Sequence, residues 1–283
     1  MAKIAHLSDV HFGAHDPAVV AGVETWLEQN PPDLVIISGD FTQRARVEQY
    51  KQASAFVDRI EARGLKTLAV PGNHDIPLYD VARRFARPLN RYRRFIEDDL
   101  CPWFENEKLA VLGINTARSL TIKDGRINYE QMHIIRESFA NVPPEKTRIL
   151  VTHHPLFAMP LGEEGALTKT VGRHEDAAEA VAEAGVHILL AGHFHRTFAE
   201  AASKMVDNAG HALVIQAGTT TSTRLRADET QSFNLIEAHR NSEISLQVFA
   251  WNGTRFEGGD SVCYSFDGES WHRNRETEAA GRN

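Results

Sequence analysis

A layered α/β protein with a second, largely antiparallel sheet is the fold class this sequence predicts, and two observations predict it. Apolar, β-branched runs alternate with stretches of helical period, and the last such runs follow one another with no clear helix between them. In chain order the expected strands are residues 3–8 (KIAHLS), 33–38 (DLVIIS), 66–70 (KTLAV), 109–115 (LAVLGIN), 148–152 (RILVT) and 187–191 (HILLA). The final three are residues 212–217 (ALVIQA), 232–239 (SFNLIEAH) and 244–251 (ISLQVFAW). Helices are expected over residues 46–63, where Tyr50, Ala53, Val57 and Ile60 share a face and Gly64 supplies the stop, over 129–140, and over 174–184 ending at Gly185. Residues 1–266 are expected to form one domain and residues 267–283 a polar C-terminal tail.

Composition bounds the chemistry. A chain of 283 residues with 42% apolar and 24% charged residues can bury a large core. A net charge of −7 lacks the basic footprint of a nucleic-acid polymer binder. Cys101 and Cys263 are too few for a disulfide scaffold or a thiolate metal site. The start, MAKIAHLSDV, leaves no room for a secretory apolar segment or a membrane anchor, so a cytoplasmic protein is expected.

The polar residues fall at strand ends. Asp9 and His11 follow the first strand, Asp40 the second, Asn73 and His74 the third, His153 and His154 the run 148–152, and His193 and His195 the run 187–191. The carboxyl ends of parallel strands share one edge, which delivers distant residues to a single crevice. Gly39, Gly72 and Gly192 let backbone approach closely there, and the oxygen and imidazole donors suit a metal site. Asp9, His11, Asp40 and His195 make one ligand set; Asp40, Asn73, His153 and His193 make another if Asp40 bridges. Two ions roughly 3.5–4 Å apart can share one carboxylate. With Asp9, Asp40 and a bridging hydroxide they leave a charge of about +1, which attracts phosphate.

The ordered blocks DVH (9–11), GD (39–40), GNHD (72–75), THHP (152–155) and GHFH (192–195) resemble the calcineurin-like metallophosphoesterase superfamily. Within it the chain is most similar to bacterial class III cyclic-nucleotide phosphodiesterases, which share the HLSDxHF start, VPGNHD and HHP. One departure is visible: after GDFT this chain carries Gln43, Arg44 and Ala45 in place of a short Gly-containing turn, which leaves the substrate open. The resemblance implies a four-layer α/β/β/α sandwich. It also implies a binuclear metal-dependent phosphoesterase in which a metal-bound hydroxide attacks phosphorus in line. His74 is surplus to both ligand sets, so it is expected to act as the catalytic residue, stabilising charge or protonating the leaving alkoxide. Asp75 is expected to orient His74.

Other residues have open roles. His154 is expected either to support a ligand or substrate, or to pack; Arg224, with Thr219 and Arg226 on the loop 218–226, is expected near the site or on a plain loop. The loop 156–172 is expected to form a substrate lid. In residues 81–100, Val81, Phe85, Leu89, Tyr92 and Ile96 recur at helical spacing among arginines between 83 and 94, predicting an amphipathic helix bent at Pro88. Its alternatives are a solvated face, a crevice cap, a dimer element of a homo-oligomer, or a contact with lipid headgroups. The favoured substrate is a small soluble phosphodiester such as a cyclic nucleotide or glycerophosphodiester. The alternatives are a phosphomonoester, a phospholipid headgroup, or no turnover in a metal-binding scaffold. The two ions, divalent or of mixed valence, are drawn from Mn, Fe, Zn and Co.

Overall fold

The computed structural model describes residues 1–159, 167–206, 210–225 and 229–274. In chain order the first half contains β1 (Ala2–Leu7), α1 (Pro17–Gln29), β2 (Leu34–Ile37), α2 (Val47–Glu61), β3 (Thr67–Ala69), α3 (Val81–Ala86), α4 (Asn90–Phe95), β4 (Trp103–Glu105), β5 (Leu109–Gly113) and α5 (Tyr129–Ala140). There follow β6 (Thr147–Val151), α6 (His174–Glu183), β7 (Ile188–Ala191), β8 (Phe198–Ala201), β9 (Leu213–Gln216), β10 (Ser232–Arg240), β11 (Glu243–Trp251), β12 (Phe256–Phe266) and β13 (Trp271–Asn274).

The strands sort into two mixed sheets, ordered β13-β12-β11-β10-β1-β2-β3 and β4-β5-β6-β7-β9-β8. Period-two alternation gives each sheet two apolar faces, and each face is buried separately. Ile4, Leu34 and Ile36 of the first sheet meet Val111, Ile149, Ile188 and Leu190 of the second in the central core. The opposite face of the first sheet, with Leu7, Val35 and Ile37, is covered by Val23, Trp26 and Leu27 of α1 and by Phe56 and Ile60 of α2. On the second sheet, Leu112, Leu150 and Leu189 are covered by Met132, Ile135 and Phe139 of α5 and Val181 of α6. Three cores between four layers make an α/β/β/α sandwich.

The assignment of strands to sheets corrects the sequence-based expectation. Of the last three expected runs only β9 joins the second sheet, parallel to β7; β10 pairs antiparallel with β1, so β10 to β13 extend the first sheet. Hydrogen-bond pairing is set by distant partners, and local apolar pattern does not name them. Helix α1 has a full start signal, with the Asp16 side chain accepting from Ala18 N and Pro17 at the first turn. Residues 81–100 form no continuous helix. Pro88 has no N–H to donate and disfavours helical geometry at Arg87, so α3 stops at Ala86 and α4 restarts at Asn90. Residues 271–274 of the expected polar tail form a strand instead: β13 pairs with β12 and Trp271 is buried, its indole N–H donating to His211 O (2.6 Å), while residues 275–283 lie outside the described residues.

Candidate metal centre

The carboxyl ends of β1, β2, β3, β6 and β7 open onto one edge of the sandwich, so both sheets contribute to the site. The loop after β1 runs beside the loop after β2, with Asp9 N donating to Gly39 O (3.1 Å) and His11 N to Asp40 O (2.9 Å). Asp9, His11, Asp40, His193 and His195 all have positive φ, between 47° and 79°. They are five of the seven non-glycine residues with such φ among the described residues. Backbone strain gathered at these positions marks a site whose side-chain directions are over-determined by their surroundings. Gly192 and Gly72 are required by close approach: a Cβ at Gly192 would collide with Ser8 Oγ and one at Gly72 with Asp40 Oδ1.

The donor atoms gather in two groups. In the first, Asp9 Oδ2 is held by Ser8 Oγ (2.6 Å) and His193 N (2.9 Å), which leaves Oδ1 buried without a hydrogen-bond partner. That Oδ1 lies 3.1 Å from His195 Nε2 and 3.7 Å from His11 Nε2, and these two ring nitrogens are 3.2 Å apart. In the second group, Asn73 Oδ1 lies 3.3 Å from His153 Nε2 and 3.1 Å from His193 Nδ1. Asn73 Nδ2 donates to Ile122 O (3.2 Å), which turns the amide oxygen inward, and His153 Nδ1 donates to Ser38 O (2.7 Å), which turns Nε2 inward. Between the groups, Asp40 Oδ2 lies 3.7 Å from His11 Nε2 and 3.4 Å from His153 Nε2. Among the described residues three sets of donor atoms each gather within 4.8 Å: Asp9, His11 and His195; Asp9, Asp40 and His153; and His153, His154 and His193. An orphaned buried carboxylate oxygen and converging imidazole nitrogens fit metal cations.

The electrostatics of the metal-free protein point the same way. Burial alone would raise the Asp40 carboxyl, but the surrounding His153, His74 and His11 hold it well below the usual carboxylate range. Burial opposes the charged form of His153 most strongly, yet Asp40, Asp9 and the Ser38 carbonyl together raise the imidazole to about 9. His193 is pushed down to about 3 by burial and then by His153, so it remains a neutral donor. Both carboxylates stay ionised, and His153 must surrender a proton before it can ligate.

The other expected residues divide. His74 lines the crevice outside both groups, its Nδ1 donating to Gln43 O (2.9 Å) and its backbone N to Asp40 Oδ1 (2.8 Å). Asp75 does not orient His74. Its buried carboxylate accepts from Gly72 N (2.9 Å), Phe41 N (3.1 Å), Thr42 N (2.9 Å) and Thr42 Oγ1 (3.1 Å), so it binds the loops after β2 and β3 to each other. Four donors saturate it, and Gln43 does the orienting. His154 is buried against His153 and His193, with Nδ1 on Thr116 Oγ1 (2.8 Å) and Nε2 without a hydrogen-bond partner. Arg224 lines the crevice with His74, and Arg226 lies outside the described residues. Residues 160–166 of the expected lid also lie outside them.

Of the supports beneath the ligands, Thr219 was expected near the site or on a plain loop, while Ser8, Thr220 and Thr221 were missed. Thr219 Oγ1 donates to Asp9 O (2.7 Å), Thr221 Oγ1 to Val10 O (2.5 Å), and Ser8 N donates to Thr220 Oγ1 (3.0 Å). The signal was the run of threonines at 219–221, buried at the end of β9 where a plain loop would be exposed.

A model of the calcineurin-like phosphoesterase family matches residues 2–197. The chain belongs to that family. As a calcineurin-like phosphoesterase it is expected to use divalent metal ions, for which the grouped donors above are the candidates. It is 23% identical over 213 residues to a probable cyclic nucleotide phosphodiesterase of Synechococcus sp., covering 69% of this chain and 74% of that one. It is 28% identical over 167 residues to a probable glycerophosphodiester phosphodiesterase, GpdQ, of Arcobacter nitrofigilis, covering 58% and 57%. A purple acid phosphatase from yellow lupin (Lupinus luteus) seeds shares the fold with a TM-score of 0.71 at 16% identity, covering 93% of this chain and 53% of that one. The chain thus spans little more than half the length of the latter two. Family membership and phosphodiesterase-named relatives support a hydrolase. No helix among the described residues is long and apolar enough to cross a membrane.

Proposed function

We propose that this calcineurin-like phosphoesterase is a binuclear metal-dependent phosphodiesterase acting on a small phosphodiester, a cyclic nucleotide or a glycerophosphodiester being the favoured kind. The observation that carries the reading is the pair of donor groups facing the single carboxylate Asp40, beside a crevice that His74 lines without joining either group. Asp9, His11, Asp40 and His195 would hold one ion; Asp40, Asn73, His153 and His193 would hold the other. Two such ions, when bound, supply Lewis acidity to phosphate oxygens and lower the pKa of water. Mn, Fe, Zn and Co all suit these donors.

The chain's own residues do the rest. Gln43 O accepts a hydrogen bond from His74 Nδ1–H, which leaves Nε2 as the nitrogen that meets substrate. Protonated there, His74 donates to a phosphoryl oxygen or to the leaving alkoxide. Arg224 on the crevice wall adds a fixed positive charge that attracts the anionic phosphodiester. His154 shapes the wall behind His153 and His193, and its neutral ring, pushed far down by burial, keeps a further charge out of the centre.

The test is turnover by the metal-stripped chain reloaded with Mn, Fe, Co or Zn. Bis(p-nitrophenyl) phosphate should be hydrolysed faster than p-nitrophenyl phosphate. Faster monoester turnover would make the chain a phosphomonoesterase, and bound metal without turnover of either would make it a scaffold.

A further inference from the structure

The surface around the mouth of the crevice departs from the rest of the chain in two ways. Large apolar side chains stand in solvent there: Leu78, Tyr79, Val81 and Phe85 on the segment after the GNHD turn, and Leu120 and Ile122 on the loop after β5. These six are half of the exposed large apolar residues among those described. One side chain fastens the two segments together. Arg84, itself nearly buried, donates from Nε to Ser119 O (2.8 Å), from Nη1 to Pro77 O (3.1 Å) and from Nη2 to Thr121 O (2.5 Å). Leu78, Tyr79 and Ile122 share the crevice with Asn73 and His74, so the apolar face and the candidate metal centre open on the same side.

The second departure is charge. In a chain of net charge −7, residues 76–87 and 118–124 carry Arg83, Arg84, Arg87, Arg118 and Lys123 against Asp80 and Asp124. Both carboxylates are occupied, Asp80 by Arg83 at 3.0 Å and Asp124 by Lys169 at 3.8 Å. Arg44 and Arg224 add two further cations on the crevice wall, and Arg44 stacks on the exposed ring of Tyr79.

Exposed apolar side chains set among surplus cations complement a layer of acidic headgroups over hydrocarbon. A second copy of this chain fits the face less well, since a two-fold interface would bring the same cations against one another. We infer that this face docks on an anionic phospholipid surface, with Val81, Phe85 and Leu120 entering the headgroup layer and the crevice turned toward it. The docking is a property of the rim and stands independently of the reaction assigned to the crevice. It also gives the broken helix a use: the stop at Ala86 leaves Val81 and Phe85 outside the core that takes Leu89 and Tyr92.

The experiment is co-sedimentation of the metal-loaded full chain with vesicles of phosphatidylcholine alone and of phosphatidylcholine mixed with phosphatidylglycerol. The chain should pellet with the mixed vesicles, less so as salt rises, and weakly with phosphatidylcholine. The triple variant Val81→Ser, Phe85→Ser, Leu120→Ser should partition about tenfold less. Its turnover of soluble bis(p-nitrophenyl) phosphate and its Tm should match the parent. Failure of the parent to pellet with mixed vesicles, or equal pelleting by the variant, overturns the inference. So does sedimentation equilibrium showing a parent dimer that the variant makes monomeric with no vesicle binding by either. Vesicle binding that the variant loses, in a chain with no turnover, supports the docking and sinks the phosphodiesterase reading instead.

Discussion

The floor of the crevice and its rim are built on opposite terms. On the floor, Asp9, His11, Asp40, His193 and His195 are held in strained backbone, and second contacts aim the donor atoms of Asp9, Asn73 and His153. On the rim, Tyr79, Val81, Phe85 and Leu120 are mostly exposed, and the helix carrying Val81 and Phe85 breaks after six residues. Strain needs a rigid surround to persist, so it marks where position matters to a fraction of an ångström. Exposure without a polar role marks where contact with something outside matters. The two regions should therefore respond differently to substitution, the floor through metal and turnover, the rim through binding.

The largest effect is expected at Asp40, the carboxylate that both donor groups face. Asp40→Ala should weaken both ions by more than the roughly 10- to 100-fold seen when mere supporting contacts of a ligand are lost. Elemental analysis after dialysis reads this directly, and loss of one ion alone would break the symmetry assigned to Asp40. Next comes His74→Ala, which should leave both ions in place and slow alkoxide release by about 10² to 10⁴. The deficit should shrink with p-nitrophenolate as leaving group if His74 is mainly an acid, and stay similar for both if it mainly stabilises charge. Undiminished turnover of both substrates at normal metal content would remove His74 from the chemistry.

How much of this was legible in the sequence differs between floor and rim. The floor residues were readable because motif order and strand ends deliver them, and residues from β1, β2, β3, β6 and β7 do converge. Asp75 was misread, because its position beside His74 in sequence says nothing of the Phe41 and Thr42 amides that reach it across the fold. The sheet assignment of β10 and β11 failed for the same reason, pairing being non-local. β12 was hidden by Gly258, Gly259 and Asp260, which read as turn residues inside a strand. The rim was misread because helical spacing continues through Pro88, while the backbone does not.

Two smaller effects sharpen the contrast. In the metal-free protein the raised His153 is stabilised as a cation by Asp40, so that contribution is full below pH 6.5 and is lost as pH rises through about 9. Metal has to displace the same proton. Affinity for the ion on the His153 side should therefore climb with pH, by at most about tenfold per unit, and level off near 9, as calorimetric titration would show. Flat affinity between pH 6 and 8 would mean that His153 is already neutral. Arg84→Ala, which unfastens the rim from below, should cost about 1 to 3 kcal/mol in thermal or denaturant unfolding. Metal content should be unchanged, since Arg84 touches no donor atom; a loss of metal would show that rim and floor are mechanically coupled.

The central claim is that two ions share one carboxylate and that both are needed. Metal-stripped chain should be titrated with Mn or Zn while bound metal and hydrolysis of bis(p-nitrophenyl) phosphate are followed in the same samples. Binding should saturate at two ions per chain, with turnover appearing as the second ion binds. Saturation at one ion, or full turnover before the second is bound, would contradict the account.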